Sequence, residues 1–536
     1  MRICLLLVFT AMAVLVGVPA MAEVQNITIG GTIHIRANYY FNYSPKPTVI
    51  GGVPTANTII WPNFFLPRRP IGSFSPLGGI APFGAVTSSL LFDDDQSNDL
   101  SLIEQRTRIN FKADFTNDVS AFIELESYDF WGEDFRSRNW VTGFDNRAVS
   151  TDDVEMFQAY IEANEMFGYP LRLRVGRQEI SLGSEWLVGT NNTPSFFAGL
   201  SFDALRLTYA TDVFSIDAFA SKLNDTTPRE QDGDVDFYGV YASYLGLEDI
   251  VFDAYWLYLR DAQRLNDTNF IAPLEAVEDL LGLDDYDVSN LHTVGLRGAG
   301  TIGNFDFEAE AAYQFGDAGQ VGFLFKPFLY GDDGAEFDAW GGNLELGYTF
   351  DVAWQPRVYL GGAYFEGEDD RDISFLEWLS PFTRPEASVS FNRLFSSWEY
   401  SEFLENSEMS NVMLVRGGVG AMPTESIELL LAVSYFWALE EFDSPAYFSV
   451  GGFKMPVAPA LSFLTQKSED ELGLEVGLYA TYHYSEDLAF SVGYAHFFTE
   501  DGAADGSFYA LNGTAFLGGG GDDDLDYVYF ETQLSF

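Results

Sequence analysis

Ionisable residues in this chain recur at every second position. Residues 102–115 read L-I-E-Q-R-T-R-I-N-F-K-A-D-F, with Glu104, Arg106, Arg108, Lys112 and Asp114 on one parity and Ile103, Ile109, Phe111 and Ala113 on the other. A strand turns successive side chains to opposite faces, so this segment has one charged and one apolar face. Residues 119–128 repeat the pattern, setting Glu124 and Glu126 against Ala121, Ile123 and Leu125. Arg172, Arg174 and Arg206 follow on segments 171–182 and 202–209, then Asp306, Glu308, Glu310, Glu345, Glu475 and Glu531 further on. Such rows recognise polar solutes: a guanidinium forks onto carboxylates and phosphates, and a carboxylate accepts from amines and hydroxyls. Bases on early strands facing acids on later ones would set a transverse field across a water column. The plainer reading is that bases and acids pair across neighbouring strands and form a polar wall. Arg177 falls out of phase with Arg172 and Arg174, which predicts either a bulge at Gly176 or a place for Arg177 at a polar rim.

Other chemistry is poorly represented. The four histidines, His34, His292, His483 and His496, have no metal-ligand spacing and no H-E-x-x-H, so the sequence does not point to an enzyme. Acidic runs at Asp93, Asp94 and Asp95, at Asp284 and Asp285, at Asp332 and Asp333, at 368–370, and at Asp522, Asp523 and Asp524 offer hard oxygen ligands for Ca²⁺ or Mg²⁺. None has the full spacing of a calcium loop, and solvated loop acid is the competing reading. A net charge of −52 disfavours nucleic acid. The only cysteine, Cys4, lies in an amino-terminal apolar segment that ends in A-M-A, the pattern of a signal peptide over residues 1–22, leaving no disulfide in residues 23–536.

The elements that must position the charged rows are strands throughout. The last twelve residues, L-D-Y-V-Y-F-E-T-Q-L-S-F, alternate Val528, Phe530, Leu534 and Phe536 with Tyr529, Glu531 and Gln533, and finish on an aromatic. About eighteen such segments run from 27–41 to 525–536, with sixteen to twenty as the range. Their connections alternate short and long, the long ones near 42–100, 260–291, 366–409 and 438–471. No segment after the signal peptide is apolar for the length a membrane helix needs. An even number of alternating strands, short turns, long loops and a terminal aromatic predict an all-β fold: a transmembrane antiparallel β-barrel with long extracellular loops and short periplasmic turns. A sheet in lipid must close, leaving no unpaired edge. An Arg facing lipid near the midplane costs roughly 2–4 kcal/mol, so the charged faces belong inside. At this strand number the interior is an aqueous lumen. Apolar pieces at 273–281 and 373–379 are expected to pack as loop plugs.

The segment V-G-R-Q at 175–178, followed by G-S-E-W-L-V-G at 183–189 and F-D-A-L-R-L at 202–207, resembles the alginate-export family of outer-membrane barrels, as does F-N-R-L-F at 391–395. The resemblance implies eighteen strands, a basic lumen, and passive passage of an anionic polysaccharide in the outer membrane. The lumen residues it places on this chain are Arg172, Arg174 and Arg206, and strand phase adds Arg106, Arg108 and Lys112. The inward acids depart from a uniformly basic conduit. The expected function is therefore a porin-like channel for polar, mainly anionic or zwitterionic, solutes. A loop-plugged receptor or partner sheath and a cation-preferring porin are the alternatives. Expected partners are outer-membrane lipid and lipopolysaccharide, the barrel-assembly machinery and the solute itself.

Overall fold

The computed structural model describes residues 23–42, 49–50, 53–54, 99–131, 154–192, 197–225, 234–262, 288–317, 335–367, 387–404, 409–440, 443–445, 447–450, 453–456, 465–467, 469–510, 515–518 and 523–536. The expected signal peptide and the pieces at 273–281 and 373–379 lie outside them.

Eighteen strands form the wall. They are β1 (Val24–Phe41), β2 (Leu100–Phe115), β3 (Val119–Phe130), β4 (Glu155–Ala163), β5 (Leu171–Gln178) and β6 (Phe202–Ala210). Next come β7 (Phe214–Asn224), β8 (Val235–Leu247), β9 (Ile250–Asp261), β10 (Ser289–Ile302), β11 (Phe305–Asp317) and β12 (Ala335–Thr349). The last six are β13 (Arg357–Phe365), β14 (Val412–Thr424), β15 (Ile427–Ala438), β16 (Glu471–His483), β17 (Leu488–Thr499) and β18 (Leu525–Ser535). Each pairs antiparallel with its neighbours in sequence, and β1 pairs with both β2 and β18, so the sheet is closed. A short strand, Ala387–Val389, adds parallel to the start of β12 outside this circuit.

The seam joins the last strand to the first. Ile33 pairs with Leu534 and Tyr39 with Val528, and the Phe536 carbonyl accepts from Gly31 N at 3.0 Å while Phe536 N donates to Gly31 O at 3.0 Å. A Cβ on Gly31 would stand 2.7 Å from the Phe536 ring, so glycine makes room for the terminal aromatic. At the first hairpin, Asn117 and Asp118 both take positive φ, 67° and 56°, the mirror-image turn that matches strand twist.

Outward positions are apolar and exposed, with Ile29 at 64%, Leu296 at 67% and Leu360 at 62%. Lipid is the solvent that accepts such a surface. The inner face is charged toward the short-turn end and apolar toward the loop end, where Phe202, Phe237, Leu257, Leu291, Phe365, Phe436 and Phe497 are buried. That apolar inner layer needs a partner inside the barrel, and two loops supply it.

Candidate functional site: a charged lumen under two clasped loops

Strand 5 is shorter than the alternating pattern predicted. It ends at Gln178, and the chain leaves the wall for the interior, burying Ile180, Trp186, Leu187 and Val188. The second inward loop precedes β14 and buries Phe391, Arg393, Leu394, Tyr400, Phe403 and Met409. The two meet as a clasp. Phe395 N donates to Leu187 O at 2.8 Å, Gly189 N to Phe395 O at 2.9 Å, and Ser397 N to Glu185 O at 3.0 Å. Trp398 Nε1 donates to Ser184 O at 2.7 Å, and Trp186 Nε1 to the Tyr400 hydroxyl at 3.1 Å, which itself donates to Asn343 Oδ1 on β12 at 3.0 Å. The backbones come close enough at Gly189 that a Cβ there would lie 2.1 Å from Ser397 Oγ.

Wall and loop are joined by polar groups that apolar surroundings make costly to leave unpaired. Gln314 on β11 donates Nε2 to Asn392 O at 2.6 Å and accepts from Asn392 N at 2.7 Å. Arg393, fully buried, donates to Ser396 Oγ at 2.6 Å and Trp398 O at 3.1 Å, with its guanidinium 4.6 Å from the Phe365 ring and 5.1 Å from that of Tyr400. Further along the loop, Ser401 Oγ and Glu402 N donate to the Glu475 carboxylate, the latter at 3.1 Å. Burial pushes the Glu402 carboxyl up to about 7 although Arg36, 4.0 Å away, pulls the other way. The described part of the long loop near 366–409 folds into the barrel; the loop at 42–100 lies almost wholly outside the described residues.

Beside the clasp the wall of β1 to β4 stays charged. Arg106 donates to Phe197 O at 2.7 Å and to Asn192, and Arg108 donates to Ala198 O at 2.9 Å, to Glu126, and lies 3.5 Å from Glu179. A bulge between β3 and β4 turns Phe157 inward beside Gln158, which brings the Phe157 ring 3.7 Å below the Arg108 guanidinium. Gln158 donates to Glu124 at 2.8 Å and Glu179 at 3.2 Å. Burial also holds the Glu179 carboxyl up, at about 7. Lys112 points inward and pairs with Asp114 at 3.2 Å.

Nearer the short turns the lumen is ringed by ion pairs. Arg174 binds Glu162 at 2.7 Å and Arg206 binds Asp217 at 3.0 Å. Arg172 donates to Thr208 Oγ1 at 3.2 Å, and no carboxylate among the described residues is in salt-bridge reach of it. Arg297 binds Asp253 at 2.7 Å and Glu308 at 2.9 Å; Glu310 lies 3.9 Å from it and accepts from the Tyr255 hydroxyl at 2.8 Å. Arg357 binds Asp306 and, at 2.9 Å, Glu345, which Arg416 also binds. The segregated arrangement of early bases and late acids is thus corrected: Arg297, Arg357 and Arg416 stand among the late acids and compensate them. They sit at inward parity, so strand phase alone could have found them. Arg177 resolves to the rim: register runs unbroken through Gly176 and the side chain points outward beside Asp203 at 3.8 Å.

The metal candidates Asp93, Asp94, Asp95 and Asp522 lie outside the described residues. Asp524 accepts from Thr499 N at 3.1 Å, and the Asp523 carbonyl from Thr499 Oγ1 at 3.0 Å. No group of three or more His, Cys, Asp or Glu among the described residues could hold a metal ion.

The family model for alginate export matches residues 91–506, which include both loops of the clasp. The chain belongs to the alginate-export family. Its V-G-R-Q segment leads into the first inward loop, and its G-S-E-W-L-V-G and F-N-R-L-F segments meet in the clasp. No curated protein matches the sequence. Among solved structures it is similar to OccK5 (OpdH) of Pseudomonas aeruginosa, 11% identical over 95% of this chain and 98% of that one, TM-score 0.43. It is likewise similar to OccAB4 of Acinetobacter baumannii, 10% identical over 96% and 99%, TM-score 0.48, and to OprD of Pseudomonas aeruginosa, 10% over 96% and 96%, TM-score 0.46. The family and the closed barrel make this protein an outer-membrane channel.

Proposed function

We propose that the channel passes small polar solutes passively, favouring those that carry both signs of charge, with anions admitted more weakly than a basic lumen would admit them. The observation that carries this is the pairing of lumen arginines: Arg174, Arg206, Arg297, Arg357 and Arg416 each hold a carboxylate within the same ring. An ion pair presents a dipole rather than a net charge, and its field falls off within a Debye length of about 8 Å at physiological salt. A zwitterion can lay its carboxylate on the arginine and its amine on the acid, where a polyanion meets the acids as well. Conductance of the refolded protein in a planar bilayer, with reversal potential in a salt gradient and permeation of zwitterionic and anionic solutes in liposome swelling, tests this. Weak ion selectivity with faster zwitterion entry is expected; strong anion selectivity, abolished by neutralising Arg172, Arg174 and Arg206, would replace the proposal with the anionic-polysaccharide reading.

A second reading rests on the apolar layer that the clasped loops share with β6 through β18, from Phe202 to Tyr527. If that layer closes the bore, the protein is a plugged barrel serving as receptor or partner sheath, and the same bilayer experiment gives no current.

A further inference from the structure

Charge is not balanced evenly along the late wall. Asp306 and Glu345 share Arg357 and Arg416, whereas Asp253, Glu308 and Glu310 have only Arg297 within salt-bridge reach among the described residues. Direct cross-strand register sets these groups side by side. Asp253 on β9 faces Arg297 on β10, Arg297 faces Glu310 on β11, and Glu310 faces Asn343 on β12. Asp253, Glu310 and Asn343 are 5%, 7% and 5% exposed, so the excess negative charge is held away from bulk water, where it is costly. Glu308, with 23% of its side chain accessible, is the member open to the lumen.

Each of the buried groups also keeps one polar atom unused. Among the described residues, Asp253 Oδ1, Glu310 Oε2 and Asn343 Nδ2 complete no hydrogen bond. Their other atoms are fixed: Arg297 donates to Asp253 Oδ2 at 2.7 Å, the Tyr255 hydroxyl to Glu310 Oε1 at 2.8 Å, and the Tyr400 hydroxyl to Asn343 Oδ1 at 3.0 Å. Tyr255 reaches from β9 to β11 because Gly295 lies between them, where a Cβ would stand 2.2 Å from the ring. Tyr241 stacks on Tyr255 with centroids 5.4 Å apart, and its hydroxyl stands beside Asp253 without completing a hydrogen bond. The first inward loop closes over the group at Gly183, where a Cβ would be 2.3 Å from that hydroxyl and 3.2 Å from Arg297 Cδ. Two unused carboxylate oxygens call for a cation that carries N–H donors, and the unused amide nitrogen beside Glu310 calls for an acceptor on the same molecule. A metal ion is served poorly, because Asn343 turns nitrogen rather than oxygen to the site.

We propose that Asp253 and Glu310 hold the primary ammonium of a transiting solute, which enters past Glu308, while Asn343 Nδ2 donates to an oxygen on a neighbouring carbon. This is the amine end of the zwitterions proposed above, and it rests on that reading. The full chain, refolded in detergent at neutral pH, is titrated with ethanolammonium, and binding is read by saturation-transfer NMR. Saturable binding is expected. Tetramethylammonium, which has the charge but no N–H, should bind about tenfold more weakly, and so should ethanolammonium to Glu310→Gln or to Asp253→Asn, each losing one charge-assisted hydrogen bond. Asp217→Asn removes the same charge from a lumen pair that Arg206 already holds and should leave the affinity within about twofold. Heat-modifiable mobility on a gel confirms that each variant is a folded barrel. Absence of saturable binding, as a proton on Glu310 in place of the ammonium would give, would overturn the proposal. Equal binding of tetramethylammonium, unchanged Glu310→Gln and Asp253→Asn variants, or an equal loss in Asp217→Asn would do the same. Binding is read without current or permeation. A channel that prefers zwitterions in liposome swelling yet binds no ethanolammonium therefore loses this site alone, while binding to a barrel that passes no solute keeps the site and refutes the channel reading.

Discussion

Replacing Trp186 with alanine separates the clasp from the barrel. Trp186 is buried, donates to the Tyr400 hydroxyl at 3.1 Å, and stacks between Phe365 and Phe391 with centroids 6.0 Å from each. Truncating a buried Trp costs about 3–5 kcal/mol, the sum of lost burial and the cavity left behind. The loss falls on loop docking, because the barrel wall is held by its own ladder of strand pairing. At about 1.4 kcal/mol per tenfold, the docked population falls by a factor of roughly 10² to 10³. Bonds that Trp186 does not make, among them Gln314 to Asn392, Glu475 to Ser401 and Glu402, and Trp398 to Ser184, remain in place, so a shift of that size loosens the clasp around position 186 and raises the share of molecules with undocked loops. Single-channel recording should then show larger and noisier conductance, limited proteolysis should cut within 179–201 and 390–411, and heat-modifiable mobility should be unchanged. A folded Trp186→Ala barrel with wild-type conductance and loops as protease-resistant as before would refute the claim that the clasp sets the opening.

Three further outcomes follow from the same geometry. Glu345→Gln removes the carboxylate that Arg416 binds and one of the two that Arg357 binds, leaving a net positive patch, so the reversal potential should move toward anion preference; no movement would mean that the ion pairs do not face the conducting path. Deleting Phe536 removes the partner of Gly31 at the seam and should cut the yield of folded barrel in the membrane, read as the heat-modifiable fraction, several-fold; a normal yield would contradict the closing-strand argument. Burial raises the Glu402 carboxyl to about 7, above the roughly 4.3 of a free glutamate, so its contribution to docking is complete below that lower value and is lost as pH rises through about 7. Around it stand Arg36, Glu399, Glu475, Tyr479 and Glu531. Loop proteolysis and conductance should therefore be greater at pH 8 than at pH 5, and Glu402→Gln should flatten the difference; a pH-independent wild type would remove Glu402 from the latch.

Strand alternation made the wall legible. The inward side of Arg106, Arg108 and Glu124 and the outward side of Ile29 and Phe530 follow from period two and the price of charge in lipid. The closing role of 525–536 follows from the same period and its terminal aromatic. The strand count was also legible, because short and long connections alternate. Pairing was not. Whether Arg174 meets Glu162 or a solute depends on cross-strand register, which a single sequence fixes only within a few residues, and the bulge that turns Phe157 under Arg108 adds one residue that parity does not announce. The end of β5 at Gln178 was missed for a related reason: Glu179, Ile180 and Leu182 keep alternating after the chain has left the wall.

The inward loops left one sequence signal that is physically decisive. An inward face that meets only water should stay polar along its length, yet on β7 the inward series passes from Asp217 to Phe219, and on β9 from Asp253 to Tyr255, Leu257 and Leu259, all toward the loop end. At the same level the outward parity is apolar as well, with Ala218 and Ala220 on β7 and Trp256 and Tyr258 on β9, before Lys222 and Arg260 at the rim. A strand apolar on both faces is buried on both. One face meets lipid, so the other must meet protein, and the only chain available at that end is a loop folded back into the bore. The loss of alternation toward the loop end of β7 and β9 thus implies an internal plug before any loop is placed. The persistence of Asp217 and Asp253 one step below implies that the plug stops there and that the charged ring begins at its lower surface.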